Sequence, residues 1–121
     1  MMVVMLAAPS RGYNLLKGEL DPWTEADTKR QAALFTLQVI DWNQSINMAG
    51  RIYEYEENNP LLPQFPTKDQ YDNYFSKLAV GSFIIAYILP EKGRKIWQYI
   101  HISCESYCVG ENYHIGVRTN F

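Results

Sequence analysis

The sequence predicts an all-α fold, a small bundle of about three helices with an irregular N-terminal arm and a proline-rich loop. Three observations predict it. Apolar residues recur at spacings of three and four through long segments, capping signatures stand near the segment starts, and prolines and glycines gather between them. At 121 residues the chain is sized for one domain. A content of 47% hydrophobic, 14% aromatic and 20% charged residues excludes a disordered tail. The mean hydropathy of −0.27 excludes a chain that is mostly bilayer.

Residues 1–23 read as an interaction arm, punctuated by Pro9, Gly12, Gly18 and Pro22. Its opening run lacks the basic flank and the length of an export signal. Read as mature sequence, Met1, Val3, Val4, Met5 and Leu6 form an apolar patch that needs cover from another element or subunit. Residues 24–121 read as a single helical domain. Asp21 before Pro22 offers one N-cap for the first helix, and Thr24 with Asp27 offers another a turn later. That helix is expected near 25–49, where Asp41 is the only charge between Gln31 and Gly50. Acids and prolines at 60, 63 and 66 leave nothing regular before Thr67. Thr67 with Gln70 is a capping-box pair opening a second helix near 67–89. Pro90 and a basic turn at 91–95 separate it from a third helix near 91–110.

The charge pattern bears on partners. Eleven basic and thirteen acidic residues give a net charge of −2, no footprint for a phosphate backbone, so nucleic acid is not an expected partner. The twelve uncharged residues 78–89 fall short of the about twenty that a membrane span needs. Segments 31–50 and 96–110 are each interrupted by a single acid, Asp41 and Glu105, and intramembrane acids face a bundle interior. In a bilayer the turn 91–95, with a balance of +2, would be cytoplasmic and residues 50–73, with −3, outside. Otherwise both are solvated loops.

No P-loop, Rossmann glycine pattern, G-x-S-x-G or H-E-x-x-H is present, so no catalytic residue and no cofactor are expected. His101, Cys104, Glu105 and Cys108 share one helical stripe, yet structural zinc sites gather ligands from two elements, and no metal is expected. Cys104 and Cys108, one turn apart with near-parallel Cα–Cβ vectors, read as unbridged thiols at a close helix–helix contact. Gln38, Asp41, Gln44 and Ser45 make one polar stripe; Gln98, His101, Glu105, Cys108 and Asn112 make another. Enclosed carboxylates need donors, so a polar seam is expected in which Asp41 and Glu105 meet Gln44, His101 and Asn112.

Asp41-Trp42-Asn43-Gln44, Glu57-Asn58-Asn59-Pro60 and Asn112-Tyr113-His114-Ile115-Gly116 match a D-x-x-[QT] helix, an E-x-N-P loop and an N-Y-x-I-G end. Over about residues 35–118 the chain thereby resembles small phage, prophage and bacterial membrane proteins of no established activity. The resemblance implies a membrane-associated helical protein of phage or bacterial origin and carries no catalytic residue. The expected function is a non-enzymatic structural or interaction protein packing against other protein subunits, a virion component in or beside a membrane. The alternatives are an integral membrane protein modulating the host envelope and, third, a metal-dependent enzyme using the His101 stripe.

Overall fold

The computed structural model describes residues 21–49, 60–63 and 65–116. They form three helices and, among the described residues, no strand: α1 (Glu25–Ala49), α2 (Lys68–Ile88) and α3 (Glu91–His114). The interaction arm's apolar residues Met1, Val3, Val4, Met5 and Leu6 lie outside the described residues, as does most of the loop before Pro60.

Each start has a local cause. Thr24 caps α1: its hydroxyl accepts from Asp27 N at 3.1 Å while the Asp27 carboxylate accepts from Thr24 N at 2.9 Å. Asp21 is therefore not this helix's cap. Its carboxylate instead accepts from Glu91 N at 2.7 Å, serving the N-terminus of α3, where Pro90 provides no side-chain cap. Thr67 and Gln70 form the complete capping box of α2. Only Leu89 and Pro90, both buried, separate α2 from α3.

The turn read at 91–95 is helical from Glu91, and Arg94 within it is fully buried. Its guanidinium donates to the carbonyls of Ala86, Tyr87 and Leu89, groups left unpaired where α2 ends. The third helix also outruns its expected end near 110. One exposed glycine costs a helix only about 1 kcal/mol, and beyond Gly110 the chain is anchored by Asn112 bonds to α1. It stops where Gly116 takes φ 101°, a conformation that suits glycine.

The helices meet along seams with alternating spacings of four and three. In α1 the inward positions are 27, 31, 34, 38, 41, 45 and 48; in α3 they are 94, 98, 101 and 105, with 112 one heptad further on. Leu34, Tyr71, Phe75, Ala86 and Leu89 supply buried apolar packing. Trp42 stacks on Phe75 at 6.0 Å and donates to Asp72 at 2.8 Å, tying α1 to α2. Even so, the interior is largely polar: Asp27, Gln38, Asp41, Gln44, Gln98 and Glu105 are all buried. The outside carries the reverse. Val80, Phe83, Ile84, Tyr87 and Ile88 of α2 and Ile96, Tyr99 and Ile100 of α3 are exposed.

Candidate functional site

Two polar clusters lie along the α1–α3 seam. The first surrounds Asp27 and Arg94, each 0% exposed. Arg94 Nη1 donates to Asp27 Oδ2 at 2.7 Å and to the Pro22 carbonyl at 3.0 Å, and Nη2 donates to the Asp21 carbonyl at 3.1 Å. Arg30 bonds the other Asp27 oxygen through Nη2 and Gln98 Oε1 through Nε at 2.7 Å. Gln98 in turn donates to the Asp27 carbonyl and to Gln31 Oε1, both at 3.1 Å. Trp23 closes the cluster over the guanidinium at 5.0 Å. Burial alone pushes the Asp27 carboxyl up, but the bonds from Thr24 and Arg94 outweigh it and hold the group below the usual carboxylate range. With its buried carboxylate bonded to two guanidiniums, this cluster is a clasp joining the chain before α1 to both ends of the α2–α3 turn.

The second cluster is the predicted seam. Asn112 Nδ2 donates to Asp41 Oδ1 at 2.9 Å and to Gln44 Oε1 at 3.1 Å. Glu105 is pushed up to about 8, by burial first, then by its hydrogen bond to Asp41 and the charge there. At neutral pH the two carboxyls thus hold one proton between them, Glu105 donating and Asp41 accepting. Glu105 Oε2 and Gln44 Nε2 are buried without a hydrogen-bond partner. Asp41, Gln44, Glu105 and Asn112 are brought together here. His101 is not joined to them by any hydrogen bond described: its ring lies against Trp97 at 4.3 Å, and burial lowers its pKa. Trp97 occupies the space toward α2 and spends its own N–H on the Ser82 carbonyl, which turns the imidazole onto an aromatic face.

A cavity of about 410 Å³ opens beside the seam, lined on one side by Asp41, Glu105 and Asn112 and on the other by Met48, Leu62, Phe75 and Ile115. The three sequence motifs converge on it, through Asp41, Pro60, and Asn112 with Ile115. A neighbouring cavity of about 400 Å³, against residues 61–63, is lined by no buried polar side chain.

Cys104 and Cys108 are not bridged by a disulfide, and both are exposed instead of buried at the expected helix–helix contact. The inward stripe of α3 runs through 98, 101 and 105, with Glu105 filling the interface and Cys104 turned outward. Among the described residues no group of three His, Cys, Asp or Glu side chains is placed to hold a metal ion.

Sequence reasoning missed the first cluster. Its signal was the continuation of the same four-three spacing back to Asp27 and Arg94, masked by the apparent surface character of Lys92, Arg94 and Lys95. Comparison with protein-family models, characterised proteins and solved structures finds no match.

Proposed function

We propose that this chain is a non-enzymatic helical subunit that packs its outer apolar faces against other protein subunits, its own copies first, in a larger assembly. The observation that carries this reading is the inverted polarity of the bundle. Among the described residues nine polar or charged side chains are buried against eight apolar ones, two of them prolines, while large apolar side chains crowd the outside. A lone soluble domain draws its stability chiefly from burying apolar surface. On α2, residues 80, 83, 84, 87 and 88 repeat at helical spacing and give one continuous exposed stripe, on which Trp23 rests against Phe83 and Tyr87 and leaves the rest of the stripe open. The resemblance in the three motifs adds a phage or bacterial setting, in which the subunit would serve as a virion component beside a membrane.

The same stripe is compatible with contact to lipid, but its length favours protein. No helix of the described residues is long and apolar enough to cross a membrane. The uncharged run 78–89 spans about 18 Å of helix, against a hydrocarbon core of about 30 Å.

The test is the mass of the purified protein in detergent-free buffer by light scattering. The expected result is an oligomer that falls to a monomer in Ile84→Glu/Ile88→Glu while far-ultraviolet dichroism stays helical. A wild-type monomer at all concentrations would overturn self-assembly. A protein that dissolves only with detergent and partitions into vesicles would favour the lipid-contacting reading.

A further inference from the structure

We propose that the cavity beside Asp41 and Glu105 binds a small organic cation, a primary ammonium on an aromatic or branched aliphatic body, with the carboxyl pair as counter-ion. Two observations point to a ligand, an orphaned acceptor and the space beside it. Glu105 is 7% exposed and lines the cavity, yet its Oε2 accepts no hydrogen bond. An orphaned buried acceptor is a standing cost that an N–H donor removes. The space beside it, about 410 Å³, falls in the range of about 300–1,000 Å³ that small-molecule sites occupy. Its remaining walls, Met48, Leu62, Phe75 and Ile115, suit an apolar body.

The charge class follows from the surroundings. Among the described residues the titratable groups that line the cavity with Glu105 are Asp41 from α1, Tyr74 from α2, and Tyr107, Cys108 and Glu111 from α3 itself, with His101 one turn away. Among the described residues no Lys or Arg lines the cavity. An anion would meet only acids, whereas an ammonium supplies the counter-charge that Asp27 obtains from Arg94 at the other cluster. On binding, the ammonium keeps its three protons and donates to the pair, and the proton shared by Asp41 and Glu105 leaves to solvent. The inference does not depend on how the chain assembles.

Calorimetric titration with 2-phenylethylammonium and with its uncharged isostere 2-phenylethanol tests it on the full chain. The ammonium should bind at least tenfold more tightly than the alcohol. Its affinity should rise at least tenfold from about pH 6 to about pH 8.5, as the pair loses its proton without needing to be displaced. Proton release should appear as a dependence of the heat on buffer ionisation. In Glu105→Gln, an isostere of the neutral acid, the preference for the ammonium should disappear. Glu25→Gln, which removes an exposed charge at the start of α1 that does not line the cavity, should leave affinity unchanged within about twofold. Equal affinity for the two probes, or an affinity indifferent to pH, overturns the proposal on the wild-type protein whatever the variants do. A loss in Glu25→Gln as large as that in Glu105→Gln overturns it too, since the overall charge of the protein would then account for binding.

Discussion

Near the α2–α3 turn, Asp27 of α1 sits between the guanidinium groups of Arg94 and Arg30; two heptads further along the same face, Asp41 sits against a second acid. Both aspartates are buried on the same stripe of the same helix and both face α3. What differs is the partner that α3 presents, arginine at one end and glutamate at the other. Burial of a charge is tolerated when matched and bonded, and the Asp27 cluster meets both conditions. The Asp41 cluster meets neither fully. It retains a proton to limit its charge, leaves Glu105 Oε2 and Gln44 Nε2 unpartnered, and borders a cavity. The contrast separates a stabilising clasp from a site that holds back binding capacity, and it can be broken or sharpened by experiment.

The largest effect is expected from Arg94→Met. It strands Asp27 without its main counter-charge and frees carbonyls at the end of α2, so urea unfolding should register a loss of about 3–5 kcal/mol. A loss below about 1 kcal/mol would mean that the clasp does not hold the fold together.

The two ends should also respond to pH with opposite sign. The folded Asp27 carboxyl is lowered from 3.8, so its contribution is present above that value and is lost as pH falls through the folded value. Glu105 is raised from 4.5 to about 8, so the folded form holds more protons than the unfolded chain between those values. Its contribution is full below 4.5 and lost as pH rises to about 8, a decline on the order of 2–4 kcal/mol. Stability measured against pH should therefore peak in mild acid. Glu105→Gln should flatten the alkaline limb and leave the acid limb in place; an unchanged alkaline limb would show that the carboxyl pair is not its source.

A smaller loss, about 1–3 kcal/mol, is expected for Asn112→Leu, which removes donors from both Asp41 and Gln44. Smallest is Thr67→Ala at the start of α2, remote from both clusters, where loss of the cap should cost about 1 kcal/mol without altering the pH profile.

Where a feature depended on neighbours in the chain, the residues announced it. Thr67 with Gln70 makes the capping box that its spacing implies, and Thr24 with Asp27 makes the second of the two caps considered for α1. The seam members Asp41, Gln44, Glu105 and Asn112 were legible because helical periodicity places them on single stripes and enclosed carboxylates require donors. His101 shares its stripe, but periodicity gives a direction and no partner, and Trp97 took that side of the ring. Arg94 was misread for a related reason. In sequence it stands among Lys92 and Lys95, and only the two-residue turn after α2 carries its guanidinium inward while theirs stay in water.

The sequence by itself determined that this chain is helical, where α2 begins, and which polar residues share a face, because caps, prolines and periodicity act within a few residues of one another. The tertiary structure alone decided that Asp21 caps the third helix instead of the first, that Asp27 meets Arg94, and that the acids 41 and 105 share a proton beside a cavity. Those outcomes join residues some 64 to 70 positions apart. Charge compensation and desolvation at that separation exist only once three helices have closed on one another.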